Sequence, residues 1–154
     1  MRVPCFWRLA AVTGIASLLA SCGMSESREE SIAVADRYFA AMSTGDVAAA
    51  LRFYSEKFFA TTPRPEFERT LTDLTQRCGK VTSHKLASWA TNSTIGTNAG
   101  STTMLLYDVQ YSACETSETM KIFKADGGAP QIVAHAIKVQ QGKSQHAGKP
   151  SQTI

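Results

Sequence analysis

The strongest constraint on the fold is a change in the spacing of apolar residues at Gly79. Before this glycine, apolar residues recur every three or four positions, which is typical of helices with one buried face. After it they recur at every second position, which is typical of strands with one buried face. Because the helices precede the strands, the pattern favours the α+β class over an alternating α/β arrangement.

Three helices are predicted in the first half of the chain. The first begins at a capping box formed by Ser27 and Glu30 and ends at Gly45. Asp46 is the expected N-cap of the second helix, which the prolines within residues 61–65 end. The residues expected on the buried faces are Ile32, Ala35, Phe39 and Met42 in the first helix, Val47, Ala50, Leu51, Tyr54 and Phe58 in the second, and Phe67, Leu71, Leu74 and Cys78 in the third.

Four strands are predicted after the helices, separated by segments rich in turn-forming residues. They span residues 81–89, 102–111, 116–124 and 131–140. The apolar residues Leu105, Tyr107, Val109 and Tyr111 share one face of the second strand. The expected fold is therefore three N-terminal helices packed on a curved, four-stranded antiparallel sheet.

The first 22 residues have the pattern of an export signal. Arg2 and Arg8 supply positive charge, and residues 9–20 form an uncharged run of twelve. As a helix, this run would span about 18 Å, which is less than the roughly 30 Å core of a bilayer. The run therefore predicts a signal peptide rather than a transmembrane helix.

The sequence Leu19-Ala20-Ser21-Cys22 resembles the lipobox of bacterial lipoproteins. This resemblance implies that Cys22 becomes the first residue of the mature chain and carries a diacylglycerol on its sulfur. Gly23 is not the Asp that favours retention in the inner membrane in that family, so the resemblance implies the periplasmic leaflet of the outer membrane. The alternative is an ordinary secreted protein that is cut after Ser21 and leaves Cys22 unmodified.

The chain has four cysteines, and two of them are expected to pair. Cys5 would leave with the signal peptide, and Cys22 would carry lipid. The remaining Cys78 and Cys114 would reach an oxidising compartment, where a disulfide is favoured over free thiols. Neither a CxxC nor an HxxxH spacing supports a metal site, and no metal or cofactor is predicted.

Residues 35–58, ADRYFAAMSTGDVAAALRFYSEKF, resemble the opening of the NTF2-like superfamily, which is also called cystatin-like or ketosteroid-isomerase-like. The shared features are a helix bearing aromatics, a Gly-Asp step and a second helix that ends in Tyr-Ser. The resemblance implies a cone-shaped cavity between the sheet and the helices. The expected organisation is a signal peptide at 1–21, a lipidated tether at 22–30, an NTF2-like domain at 31–140 and a disordered tail at 141–154.

Four residues are expected to line this cavity, namely Tyr54, Tyr107, Tyr111 and His135. Asp108 lies on the opposite face of its strand from Tyr107, so we expect it not to meet His135. A proton-transfer site needs two titratable groups that converge, and no catalytic residue is predicted. His84 is expected at the surface.

The distribution of charge argues against a nucleic-acid partner. The formal net charge of +3 comes largely from the two ends of the chain, where Arg2, Arg8, Lys143 and Lys149 lie, and the middle has no basic stripe. The expected function is a non-enzymatic module that binds a small apolar ligand or an envelope protein, with a homodimer through the sheet as a further arrangement. Its membrane contact would be the lipid on Cys22. The alternatives are a small enzyme of the ketosteroid-isomerase type and a structural accessory subunit of an envelope complex.

Overall fold

The computed structural model describes residues 19–96 and 99–140, and for residues 19–24 it describes the helix backbone alone. Most of the predicted signal peptide and the whole predicted tail lie outside the described residues. The elements in chain order are α1 (Leu19–Thr44), α2 (Val47–Ala50), a 3₁₀ helix (Leu51–Phe53), α3 (Glu56–Phe59), α4 (Arg64–Cys78), β1 (Val81–Thr94), β2 (Gly100–Tyr111), β3 (Glu115–Ala125) and β4 (Gln131–Gln140). The predicted α+β class is confirmed.

The four strands form one antiparallel sheet in the order β1-β2-β3-β4, as predicted. The odd-numbered residues from Thr103 to Tyr111 are buried in β2, whereas Met104, Asp108 and Gln110 are exposed. Helix α1 contacts all four strands. The face of the sheet that meets the helices is called the inner face below, and the opposite one is called the outer face.

The predicted second helix is interrupted at Tyr54, so the prediction of three N-terminal helices is wrong. Tyr54 has an extended backbone, with φ −91° and ψ 144°, and forms a parallel bridge with Ile132 of β4. Ser55 donates its backbone N–H to the Ile132 carbonyl at 3.0 Å and caps α3 by accepting from the Phe58 N–H at 3.1 Å. Pairing with a distant strand thus overrides the local helical periodicity.

Within the described residues α1 already runs from Leu19, so Ser27 and Glu30 lie inside the helix and the predicted capping box does not begin it. Ser27 lies inside the helix, is buried, and shares a hydrogen bond with the Ser101 hydroxyl of β2. Its carbonyl also accepts a 2.8 Å hydrogen bond from the Ser31 hydroxyl. Residues 25–30, predicted as part of a tether, are therefore helical and pack against the sheet. Within the two described ranges, no helix is both long and apolar enough to cross a bilayer.

Strand β1 departs from the alternation predicted for it. Its pairing with β2 shifts between Val81 and Ser83 and again between Leu86 and Ser88. A shift of one residue moves the following side chains to the other face of a strand. As a result, His84 and Leu86 are partly buried, and Trp89 remains half exposed.

The predicted pairing of Cys78 with Cys114 is confirmed. A disulfide joins the end of α4 to the turn between β2 and β3, with the two Cα atoms 5.1 Å apart. Gly79 ends α4 with a positive φ of 78°, as its place in the sequence predicted. The Ala113 N–H also donates to the Cys78 carbonyl at 2.8 Å. The helix end is thus fixed to the sheet by both a covalent bond and a hydrogen bond.

Candidate functional site

A pair of buried titratable side chains lies on the inner face of the sheet. Glu118 projects from β3 and His135 from β4, and both side chains have 0% exposure. The His135 Nε2 atom is 3.0 Å from the Glu118 Oε2 atom. Burying a carboxylate is very unfavourable unless hydrogen bonds or a charge compensate for the lost water. The neighbouring side chains supply that compensation.

Both oxygens of the Glu118 carboxylate are engaged. Its Oε1 atom accepts hydrogen bonds of 2.9 Å from the Tyr111 hydroxyl and of 2.9 Å from the Thr116 hydroxyl. Its Oε2 atom is in contact with the imidazole Nε2 atom of His135. The other nitrogen of His135, Nδ1, is 2.6 Å from the Tyr54 hydroxyl. Tyr54, His135 and Glu118 therefore form a continuous chain of hydrogen bonds.

Aromatic rings close this chain off from solvent. Tyr38 meets the His135 ring edge-on with centroids 5.3 Å apart, and Phe67 meets it at 6.3 Å. The Tyr38 hydroxyl is buried and makes no hydrogen bond within the part of the chain that the structure describes. Any molecule entering from solvent would have to displace one of these rings to reach His135.

Burial raises the pKa of the tyrosines around the pair. For Tyr54 and Tyr111, desolvation is the main cause, and the negative charge of Glu118 adds to it. For Tyr38, desolvation again comes first, followed by the neighbouring Tyr54. These hydroxyls stay protonated at neutral pH, so they can donate hydrogen bonds but cannot act as bases.

Three of the four residues predicted to line a cavity come together here, namely Tyr54, Tyr111 and His135. Tyr107 is buried directly across from Glu118 in the β2–β3 register, and its ring contacts Phe39 at 5.0 Å. His84 lies at the edge of the surface, with its side chain 29% exposed. Its ring stacks on Phe39 with centroids 4.4 Å apart, and its Nε2 atom is 3.0 Å from the Asp36 carboxylate.

The predicted separation of Asp108 from His135 is confirmed. Asp108 is exposed on the outer face, where it pairs in register with Lys85 and Ser117. The partner of His135 is instead Glu118, which sequence reasoning missed. Glu118 has the same strand parity as the apolar Met120 and Ile122, and that parity was the signal that could have placed it on the inner face.

The arrangement can hold a proton between His135 and Glu118 and can orient the Tyr54 hydroxyl. Titratable side chains held in this way are the groups that general acid–base chemistry uses. Among the described residues, no group of three or more His, Cys, Asp or Glu side chains is placed so that it could hold a metal ion.

The outer face of the sheet is not covered by the described helices. Met104 is 49% exposed there and lies beside Ala90 of β1 and Lys121 of β3. Towards the ends of β2 and β4, a cleft of about 400 Å³ is lined by polar side chains such as Lys85 and Asp108. The outer face therefore has a centre of mixed apolar and polar side chains beside a charged region.

Comparisons of this chain with models of protein families, with curated proteins and with solved structures find no match. Its function is therefore inferred from its own residues.

Proposed function

We propose that the chain is a lipoprotein, anchored through lipid on Cys22 at the periplasmic face of the outer membrane, whose NTF2-like domain is a non-enzymatic protein-interaction module. The lipobox at residues 19–22 supports the anchor. The order of helices followed by a four-stranded meander, with an aromatic inner face, supports the domain type. The single observation that carries the interaction role is the uncovered outer face of the sheet.

The inner face favours a protein partner over a small ligand. Its buried carboxylate is satisfied by the chain's own side chains, since Glu118 accepts from Tyr111 and Thr116 and contacts His135. A small ligand would have to break these contacts or displace the surrounding rings before gaining any of its own.

The outer face has the size and chemistry of a modest interface. Its shortest strand has ten residues. Four strands about 4.8 Å apart and about 33 Å long present roughly 600 Å². A standard interface buries about 800 Å² per partner, so this face supplies most of that area. The central outer-face residues by register are Ser88, Ala90, Met104, Leu106, Thr119, Lys121, Ala134 and Ala136. Either an envelope protein or a second copy of this chain would fit a surface of this kind.

A site-specific cross-linker tests this proposal. A photoreactive amino acid at Met104 in the membrane-bound protein should give a discrete adduct, and its mass distinguishes a second copy from another protein. The matched control is the same amino acid at Glu68, which is exposed on α4. Equal, diffuse labelling from both positions would contradict the interaction role of the outer face.

The second candidate is an enzyme that moves a proton next to a carbonyl group, and the pairing of Glu118 with His135 favours it. Such an enzyme should exchange the α-hydrogens of a small cyclic ketone with deuterium from solvent. The exchange should be lost in Glu118→Gln and retained in the outer-face variant Met104→Gln. If the wild-type protein catalyses no exchange and the ketone leaves the His135 NMR signals unchanged, the enzyme candidate fails.

A further inference from the structure

We propose that the free edge of β4 pairs with the same edge of a second copy of this chain, so that two four-stranded sheets become one sheet of eight strands. This inference goes beyond the proposed function, which concerns the outer face of the sheet rather than its edge. The occupant of the edge is a second copy, and the strand that it supplies is its own β4.

The regular part of the β4 edge is seven residues long, from residue 134 to residue 140. β4 is the last strand of the sheet, so only one of its sides is paired with another strand. At its start, Ile132 is held on the other side by Tyr54 and Ser55. The register with β3 shifts after Ile132 and is regular beyond it, where no backbone group among the described residues binds the outer side. The N–H and C=O groups along such an edge accept a further strand.

The inward-facing side chains of this stretch leave apolar surface at the edge. His135, Ile137 and Val139 all face the inner side, since Val139 lies opposite the buried Thr116 of β3 and the other two share its parity. The His135 side chain is fully buried, whereas Ile137 is partly buried and Val139 is 47% exposed. A strand added beside β4 would cover Val139, because cross-strand neighbours on one face lie about 5 Å apart.

The strand is complementary to itself in an antiparallel register. A two-fold axis beside Ile137 sets this residue opposite its own copy and sets Val139 opposite His135 of the second copy. On the outer side, Lys138 then lies opposite Ala136 of the second copy, and the two Lys138 side chains occupy diagonal positions. This register uses the whole regular stretch and keeps the inner faces of both sheets on one side. Moving the axis to Lys138 would instead set the two lysines directly opposite each other, which is destabilising.

Pairing of this kind would join the two outer faces into one surface. Each face presents roughly 600 Å², so the pair would present roughly 1,200 Å², which exceeds the area of about 800 Å² that a standard interface buries on each partner. The strands left at the two edges of the joined sheet would both be β1, whose register shifts disfavour further pairing. We therefore expect the association to stop at two copies.

Cysteine cross-linking in membranes tests the pairing. In the full chain, Ala136→Cys combined with Lys138→Cys sets the two cysteines of one copy opposite the two of the other, within reach of a disulfide. Mild oxidation of isolated membranes should give a band of twice the mass on a non-reducing gel, at least about fivefold stronger than for either single variant. The matched control, Ala90→Cys with Asn92→Cys, has the same spacing on the exposed outer side of β1 and should give no such band. Equal yields from all variants, or no band for the β4 variant, would overturn the pairing.

Charge substitution at position 136 tests the register. Ala136→Glu would face Lys138 of the second copy, whereas Ala136→Lys would create two like-charged pairs. Sedimentation equilibrium of the full chain in detergent micelles should give a dimer Kd that is at least about tenfold lower for the Glu variant than for the Lys variant. Adding Lys138→Glu to Ala136→Lys should restore the dimer, because opposite charges then face each other again. Equal Kd values for the three variants would contradict the register.

The photoreactive amino acid at Met104 separates this inference from the proposed function, because Met104 lies on β2, two strands away from the free edge. A discrete adduct at Met104 without a β4 cross-link would overturn the edge pairing alone. A β4 cross-link without a discrete adduct at Met104 would overturn the role of the outer face alone.

Discussion

At the scale of single residues, Glu118 has the most demanding environment in the described structure. Its side chain is fully buried, and it accepts hydrogen bonds from Tyr111 and Thr116 and contacts His135. A buried polar pair adds little net stability compared with an apolar pair of similar shape, but removing one partner leaves the other without a hydrogen bond. The network therefore makes the inner face sensitive to substitution.

The first prediction is that Glu118→Ala is strongly destabilising. Three polar side chains would lose their partner in a site that water does not reach, which costs about 3–5 kcal/mol of unfolding free energy. The matched control is Glu115→Ala, because Glu115 is exposed on the same strand and its loss should change stability by no more than about 0.5 kcal/mol. Urea unfolding followed by circular dichroism measures both variants, and similar midpoints for the two would refute the prediction.

The second prediction concerns the tyrosines, because all four in the chain are buried and have raised pKa values. Burial is the first cause at each one. The folded state favours the neutral phenol, so this stabilisation is complete below the unfolded pKa of about 10 and is lost as the pH rises above it. Tyrosinate absorbance should therefore appear together with loss of the circular dichroism signal. In concentrated guanidinium chloride, all four should titrate near their ordinary pKa. A tyrosine that titrates near pH 10 while the fold is intact would be evidence against this packing.

At the scale of elements, the spacing of apolar residues correctly predicted the helices and strands whose structure depends on nearby residues alone. Helix α4 and strand β2 have the predicted buried faces, because their apolar spacing matches one continuous element. The second predicted helix failed at Tyr54, whose extended backbone is set by pairing with Ile132 far along the chain. The strand parity of Glu118 could have placed it on the inner face, but its pairing with His135 depends on another strand and cannot be deduced from a local pattern.

The third prediction separates close packing from backbone strain at two glycines. Gly100 and Gly127 both have positive φ, at 154° and 70°. A Cβ atom at Gly100 would overlap the Lys124 carbonyl oxygen, whereas one at Gly127 would meet nothing within 4 Å. Gly127→Ala should cost about 1 kcal/mol, and Gly100→Ala about 3 kcal/mol or more, because it forces β2 away from β3. Equal losses in thermal unfolding would show that the close approach at Gly100 is unimportant.

The fourth prediction is that the disulfide stabilises the junction between α4 and the sheet. Its cysteines are 36 positions apart, and a loop of that length corresponds to about 4 kcal/mol in the chain-entropy model. The Cys78→Ala, Cys114→Ala double variant should unfold at a correspondingly lower urea concentration. Adding reductant should lower the unfolding midpoint of the wild-type protein and leave that of the double variant unchanged. Non-reducing peptide mapping that finds both thiols free would contradict the bond.

At the scale of the whole molecule, the helices and the sheet divide the domain into a filled side and an open side. The filled side holds the aromatic core and the Glu118–His135 pair. The open side is one face of a four-stranded sheet, and an antiparallel sheet is stable with one face towards water. Under the proposed function, the two sides have separate roles, the inner one in stability and the outer one in contact with partners.

The fifth prediction tests the anchor for the intact protein. Mass spectrometry of the N-terminal peptide from membrane extracts should find diacylglyceryl-modified Cys22, and Cys22→Ser should release the protein from the membrane. Two or three acyl chains hold far more firmly than one, so the loss of membrane binding should be nearly complete. Ser21→Ala keeps a small residue before the cysteine and serves as the control. Firm membrane binding of Cys22→Ser would contradict the proposed lipid attachment.

The two register shifts in β1 affect the tendency of folding chains to aggregate through the free edge of this strand. β1 is a fourteen-residue edge strand, and the N–H and C=O groups along a free edge can recruit a strand from another chain. Bulges bend and twist such an edge, so that a straight incoming strand finds matching groups over only a few residues. The irregularities in β1 thus disfavour edge-to-edge pairing between copies of the chain at high concentration. They do not affect association through the face of the sheet.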